Sequence, residues 1–214
     1  VAANAYGSDT MVRTVQVMDC RPVTALPWRE DFDDDLLCWY QTYNSTNNRW
    51  LRGQRYSAPY YIKDYDASSS CNISESSTTP ADAWMVSRAV TLPADTALAV
   101  RLFWQVGISS GNNLTNNYRV MVSTAADCTD TTAYEELYHD TLPLPNQIYM
   151  AQRSVSLTPY AGQTIFIAFR NQPLVRRVTA LIIDKVEVRE TTNPRLLLAA
   201  DNETVYHGDT ATFT

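Results

Sequence analysis

The sequence predicts an all-β chain, folded as a β-sandwich of two antiparallel sheets over residues 27–190. Three observations predict it. Short runs rich in β-branched and aromatic residues follow one another along the chain, turn residues separate them, and no segment sustains a 3.6-residue period. The chain has 214 residues, 45% of them hydrophobic, which is enough to bury a core without metal or disulfide support.

In chain order, residues 14–18 (TVQVM) alternate as a strand. Residues 99–106 (AVRLFWQV) form a strand with mixed faces, and 118–123 (YRVMVS) and 154–157 (SVSL) alternate again. Residues 164–170 (TIFIAFR) and 180–188 (ALIIDKVEV) complete the set. Residues 133–139 (AYEELYH) fit one helical turn or a strand end. The stretches 41–49, 67–80 and 109–117 are rich in Ser, Thr and Asn and predict long polar loops, where a rigid sandwich carries its binding sites.

The ends have a different character. Residues 1–20 read as the last hairpin of a preceding Ig-like domain, with a turn at Gly7-Ser8-Asp9. Residues 191–214 read as the first strands of a following one, with a turn at Gly208-Asp209. The predicted division is therefore 1–20, 21–190 and 191–214, in a chain cut from a longer multidomain protein. The two end pieces are expected to cover their strand edges by pairing with each other or with another copy.

Charge narrows the partners. The net charge is −6, and phosphate backbones need a basic surface, so nucleic acid is not an expected partner. No apolar run approaches the roughly 18 residues of a membrane span. The four cysteines, Cys20, Cys38, Cys71 and Cys128, are too far apart for a CxxC motif; three disulfide pairings, or free thiols, remain open. Only two histidines, His139 and His207, are available, so zinc chemistry is poorly supplied.

Six short motifs in series resemble a known family. They are residues 26–33 (LPWREDFD), Cys38-Trp39, 82–87 (DAWMVS), 117–124 (NYRVMVST), 160–170 (YAGQTIFIAFR) and 183–188 (IDKVEV). In this order they resemble the MAM-like, cleaved-adhesin or "choice-of-anchor J" modules of Bacteroidetes surface proteins, over residues 26–189. Arg88 departs from the pattern where Pro usually follows Ser87, and Lys185 departs where a second Asp is usual. The flanks resemble PKD or Ig-like repeats. The resemblance implies a jelly-roll, a secreted or cell-surface location on the bacterial exterior, and a non-catalytic adhesive or carbohydrate-recognition role.

It also implies a calcium site. In similar jelly-rolls an ion bridges the first and last strands, and the matching positions here are Asp33 and Asp184. Asp31 shares strand parity with Asp33 and so is expected on the same face. Carboxylates are the hard oxygen ligands that calcium takes. The other candidate is an aromatic ligand platform of Trp50, Tyr56, Tyr60, Tyr61 and Tyr65, interleaved with Arg49, Arg52, Arg55 and Lys63. Trp39 and Trp84 match core positions of the family instead.

Enzymatic motifs are scarce. No GxSxG, HExxH or phosphate-cradling glycine loop occurs, and neither histidine lies near a nucleophile motif. A glycosidase would need two carboxylates about 5–10 Å apart, for which the acidic run Glu30-Asp31-Phe32-Asp33-Asp34-Asp35 and Asp82 are the available groups. Asn44, Asn72, Asn113 and Asn202 open N-x-S/T sequons, and Asp-Thr pairs begin at Asp9, Asp95, Asp130, Asp140 and Asp209. The expectation is a non-catalytic extracellular adhesion module that recognises glycans or a host or matrix protein, with Ig-like neighbours in cis. The alternatives are a structural spacer, or an accessory module of a carbohydrate-active enzyme or protease.

Overall fold

The computed structural model of the chain describes residues 2–4, 7–9, 20–32, 36, 38–44, 49–53, 71–75, 82–95, 99–109, 116–142, 150–172 and 180–191. These hold fourteen strands: β1 Ala2–Asn4, β2 Gly7–Asp9, β3 Trp28–Glu30, β4 Tyr40–Tyr43, β5 Trp50–Gly53, β6 Cys71–Glu75 and β7 Ala83–Val86. There follow β8 Val90–Thr91, β9 Ala99–Ser109, β10 Asn116–Ser123, β11 Glu135–Leu142, β12 Ala151–Ser156, β13 Thr164–Asn171 and β14 Ala180–Thr191.

Two antiparallel sheets face each other, as the alternating runs predict. Sheet I has the order β11-β10-β13-β7-β4, with β8 also on β13; sheet II has the order β12-β9-β14-β6-β5, with β3 also on β14. Strands distant in sequence lie side by side, so β13 joins β10 and β7, and β14 joins β9 and β6. Val23, in the segment before β3, bridges to Val90 and ties that segment to sheet I.

Period-two alternation fills the space between the sheets. Sheet I turns inward Ala83 and Met85, Tyr118, Val120 and Val122, and Ile165, Ile167 and Phe169. Sheet II answers with Val100, Leu102, Trp104 and Val106 from β9 and Leu181, Ile183, Val186 and Val188 from β14. Trp104 stands edge-on to Tyr138 at 5.1 Å and to Phe169 at 6.1 Å, and its indole N–H donates to the Tyr118 hydroxyl at 3.2 Å. That bond satisfies two polar groups that burial would otherwise leave costly. Burial in turn pushes the Tyr118 phenol well above its ordinary range.

The inward set on β14 changes parity part-way, from Leu181 and Ile183 to Val186 and Val188. The cause is a bulge between Asp184 and Glu187, where Lys185 takes a left-handed φ of 48°. Residues 180–188 therefore do not alternate without interruption. β3 pairs with β14 as far as Glu30 against Val186 and then stops, and Phe32 beyond it takes a φ of 58° with its ring fully buried.

Three expectations need correction or limits. Gly7–Asp9 is a strand, paired with Ala2–Asn4 in the register Asn4 to Gly7, and not the turn of that hairpin. Of the two readings open for residues 133–139, the strand is the one found: a 3-10 turn at Thr131–Ala133 is capped by Asp130 and gives way to strand β11. The predicted strand at 14–18 and the stretch 192–214 lie outside the described residues. Cys20 and Cys38 form a disulfide, and Cys128 is a free thiol that burial pushes up.

Candidate binding face

Five strands of sheet I bring five side chains into one line. Thr42 is opposite Trp84, Trp84 opposite Arg170, Arg170 opposite Arg119, and Arg119 opposite His139. All five have the parity opposite to the inward residues of their strands, so the row lies on the outer face.

Charge-assisted hydrogen bonds fix the row. Arg170 grips Asp82 with Nε to Oδ1 at 2.8 Å and Nη2 to Oδ2 at 2.8 Å, a bidentate fork. Its guanidinium lies over the Trp84 ring, and the Trp84 indole N–H donates to the same Asp82 Oδ1 at 2.9 Å. The Asp82 N–H donates to Asn44 Oδ1 at 3.2 Å, which holds the carboxylate from behind. Further along, Arg119 reaches Glu136 Oε2 through Nε and Gln172 Oε1 through Nη1, both at 2.7 Å. His139 Nε2 bonds Asn117 Oδ1, and its Nδ1 lies 4.0 Å from Glu136 Oε1.

An apolar row runs beside the polar one: Tyr40, Val86, Ala168 and Met121 occupy successive register positions. The segment leading into β11 folds over this row. Tyr134 packs edge-on to Trp84 at 5.7 Å, and its hydroxyl donates to the Cys128 carbonyl at 3.0 Å. Trp84 is left only 6% exposed, whereas the side chains of Asp82, Glu136 and His139 are 35%, 47% and 39% exposed. Tyr40 stands at the open margin, 38% exposed. The face thus offers fixed donors and acceptors with an aromatic edge, a set suited to hydroxyl groups.

Of the platform expected around Trp50, Trp50 itself is the member among the described residues, and its ring is not exposed. Trp50 is buried on β5, and its indole N–H donates to the Ala83 carbonyl at 3.2 Å, so its faces serve the core. Tyr56, Tyr60, Tyr61 and Tyr65 lie outside the described residues. Trp84 is buried in a core cluster as expected, but in a second one with Val86, Met121, Tyr134 and Ala168 on the outer side of sheet I, because it follows the inward Ala83 by one residue.

Of the acidic candidates, Asp184 is buried on β14 and its Oδ1 accepts the Lys185 N–H at 2.7 Å. Asp31 is exposed just beyond the end of β3, so strand parity does not govern its direction; Asp33 lies outside the described residues. Glu30, at the head of the acidic run, accepts the Phe32 N–H at 2.9 Å and the Trp39 indole N–H at 3.0 Å. Among the described residues no three His, Cys, Asp or Glu side chains converge as a metal cluster. No described helix is long and apolar enough to cross a membrane.

Comparison with solved structures gives the fold a precedent. The K1 cleaved adhesin domain of Lys-gingipain from Porphyromonas gingivalis W83 superposes with a TM-score of 0.60 at 21% identity, covering 78% of this chain and 99% of that one. The chain has the fold of a cleaved adhesin domain. The K3 cleaved adhesin domain of the same protein gives 0.60 at 19% identity, with 77% and 97% covered. The carbohydrate-binding module TmCBM61, in complex with beta-1,4-galactotriose, gives 0.50 at 11% identity, with 75% and 94% covered. No family model matches the sequence, and no curated protein matches it. The cleaved-adhesin jelly-roll is thereby the architecture, reached by the motif series and by the superposition independently.

Proposed function

We propose that this chain is a non-catalytic extracellular binding module that recognises glycans through the outer face of sheet I. The carrying observation is the row Thr42, Trp84, Arg170, Arg119 and His139, fixed by Asp82, Glu136 and Gln172. Sugars bind by a few fixed polar contacts beside an aromatic surface, and pre-bonded side chains lose little freedom on binding. Each of the two carboxylates on this face is engaged by an arginine, which suits a recognition surface. The fold likeness to a galactotriose-bound module supports the same ligand class and makes that trisaccharide the first to try.

The module is read as part of a bacterial surface protein, with residues 1–20 and 191–214 belonging to Ig-like neighbours in cis. A calcium ion held by Asp184 with Asp31 and Asp33 is part of the proposal. Asp184 supports it as a buried carboxylate beside the point where β3 and β14 separate. Bound there, the ion would cross-brace the first and last strands of sheet II.

A glycan array tests the main reading. Reproducible hits that Arg170→Ala and Arg119→Ala abolish would support it. Silence from a folded protein would favour a structural spacer that presents its neighbours. Calorimetric titration of EDTA-treated protein tests the ion, and absence of both heat and a melting shift would remove it.

A further inference from the structure

The line Thr42, Trp84, Arg170, Arg119 and His139 takes one residue from each of the successive strands β4, β7, β13, β10 and β11. Neighbouring strands are about 4.8 Å apart, so the line spans four spacings, about 19 Å. It runs across the strands, from one edge strand of the sheet order to the other.

Groups that bond hydroxyls recur along the whole of it. The Thr42 hydroxyl stands at the β4 end. Asp82 with Arg170 and Glu136 with Arg119 fill the middle, and the His139 imidazole stands at the β11 end. The side chains of both ion pairs and of His139 are partly exposed. Their mutual bonds spend two N–H groups of Arg170 and two of Arg119, and a guanidinium carries more. Asp82 Oδ2 accepts one N–H, from Arg170 Nη2, and a carboxylate oxygen has room for a second. Trp84 is buried beside Tyr134 and seats Arg170, so the line presents polar edges rather than the flat face of a ring.

We propose that this line binds a linear, uncharged glycan laid across the strands, about one sugar unit to each strand, and that it requires a chain of at least about four units. The inference rests on the reading of this face as a glycan site and adds the length and direction of the ligand. A 1,4-linked pyranose advances its chain by about one strand spacing, so each further unit meets a further strand. A sugar hydroxyl both donates and accepts, which matches a line where guanidinium donors and carboxylate acceptors recur. Both carboxylates are already paired with arginines, which favours an uncharged chain over an ionic one. The central units sit on Arg170 and Arg119, where the bonds are charge-assisted. Thr42 and His139 take the outer units and set the length specificity.

Calorimetric titration with β-1,4-linked galactose and glucose oligomers, from the monosaccharide to the hexamer, tests this. In at least one series the affinity should rise by about tenfold or more from dimer to tetramer and then level off. Thr42→Val and His139→Ala, at opposite ends of the line, should each weaken the tetramer by about threefold or more, the loss of one hydrogen bond, and leave the dimer unchanged. A poorly folded variant would lose dimer and tetramer alike, so the comparison separates a lost contact from a lost fold. Arg170→Ala should weaken both lengths. The proposal is overturned if neither series binds, if affinity is flat from the dimer upward, or if both end variants bind the tetramer as the parent does. Array hits confined to branched or charged glycans would overturn it and leave the reading of the face as a glycan site standing; a silent array would remove both.

Discussion

The Arg170 guanidinium lies over the Trp84 indole, its Cζ 4.7 Å from the ring centre, while its fork holds the carboxylate that accepts the indole N–H. Asp82 thus holds the aromatic ring and the cation over it in one unit. The ring is buried, the charged groups are partly exposed, and the unit stands at the middle of sheet I, where β7 and β13 pair.

Arg170→Ala should therefore act on both stability and binding. It removes a bidentate ion pair and a cation–π contact, each of modest worth at a partly exposed site, so a loss of about 1–2 kcal/mol is expected. Chemical denaturation measures it. Arg170→Lys should restore the charge without the fork or the stacking, and so recover less than half of the loss. Full recovery by lysine would show that charge alone matters.

Tyr118→Phe should cost about 1–3 kcal/mol, because it leaves the buried Trp104 indole N–H without its acceptor at 3.2 Å. The double variant Tyr118→Phe with Trp104→Phe should then lose less than the two single losses summed. Additive losses in that cycle would deny the coupling.

Alkaline pH should destabilise the fold through its tyrosines. Burial raises Tyr118, Tyr134 and Tyr138 above the ordinary phenol value, and burial followed by the bond to Glu135 pushes Tyr160 up to about 12. A raised folded-state pKa means that the folded chain holds the proton more tightly than the unfolded one. The stabilisation is complete below the unfolded value near 10 and is lost as pH rises through that value towards the folded ones. Urea midpoints should be level below about pH 10 and fall above it, and phenolate absorbance should appear late and cooperatively with unfolding. A level midpoint across that window would contradict the burial of these hydroxyls.

Reduction of Cys20–Cys38 should lower stability by about 3 kcal/mol, the loop-closure value for a sequence separation of 18. Trp39, next to Cys38, packs on Trp28 at 6.0 Å and on Phe32 at 5.6 Å, so its fluorescence should report the change. Peptide mapping under non-reducing conditions should recover the two cysteines in one linked pair.

Asp184→Asn should abolish any calcium-dependent rise in melting temperature while keeping the Lys185 N–H satisfied through the amide oxygen. A calcium shift that survives the substitution would place the ion elsewhere.

Much of the architecture could be read before any coordinates. The runs at 99–106, 118–123, 164–170 and 180–188 all fall within strands, and their apolar alternation matches the residues that meet between the sheets. Alternation reports that neighbours face opposite ways, however, and not which face is inside. Trp50 and Trp84 show the difference: each begins or interrupts a short polar-flanked run, and only the pairing of β5 with β6 sends Trp50 inward, as that of β7 with β4 and β13 sends Trp84 outward. The bulge at Asp184 is visible at most as two polar residues in an apolar run.

Sequence by itself determined the fold class, the order of the main strands, the resemblance of the central region to cleaved adhesin modules, and the absence of familiar catalytic motifs. Its evidence is local: residue type, period and short motifs. Tertiary structure alone decided the candidate binding face, because Arg119 and Arg170 are 51 residues apart and become neighbours only through the register of β10 with β13. That face is made by strands paired across long stretches of chain, and hydrogen-bond register over such distances is set by the packing of the whole sandwich.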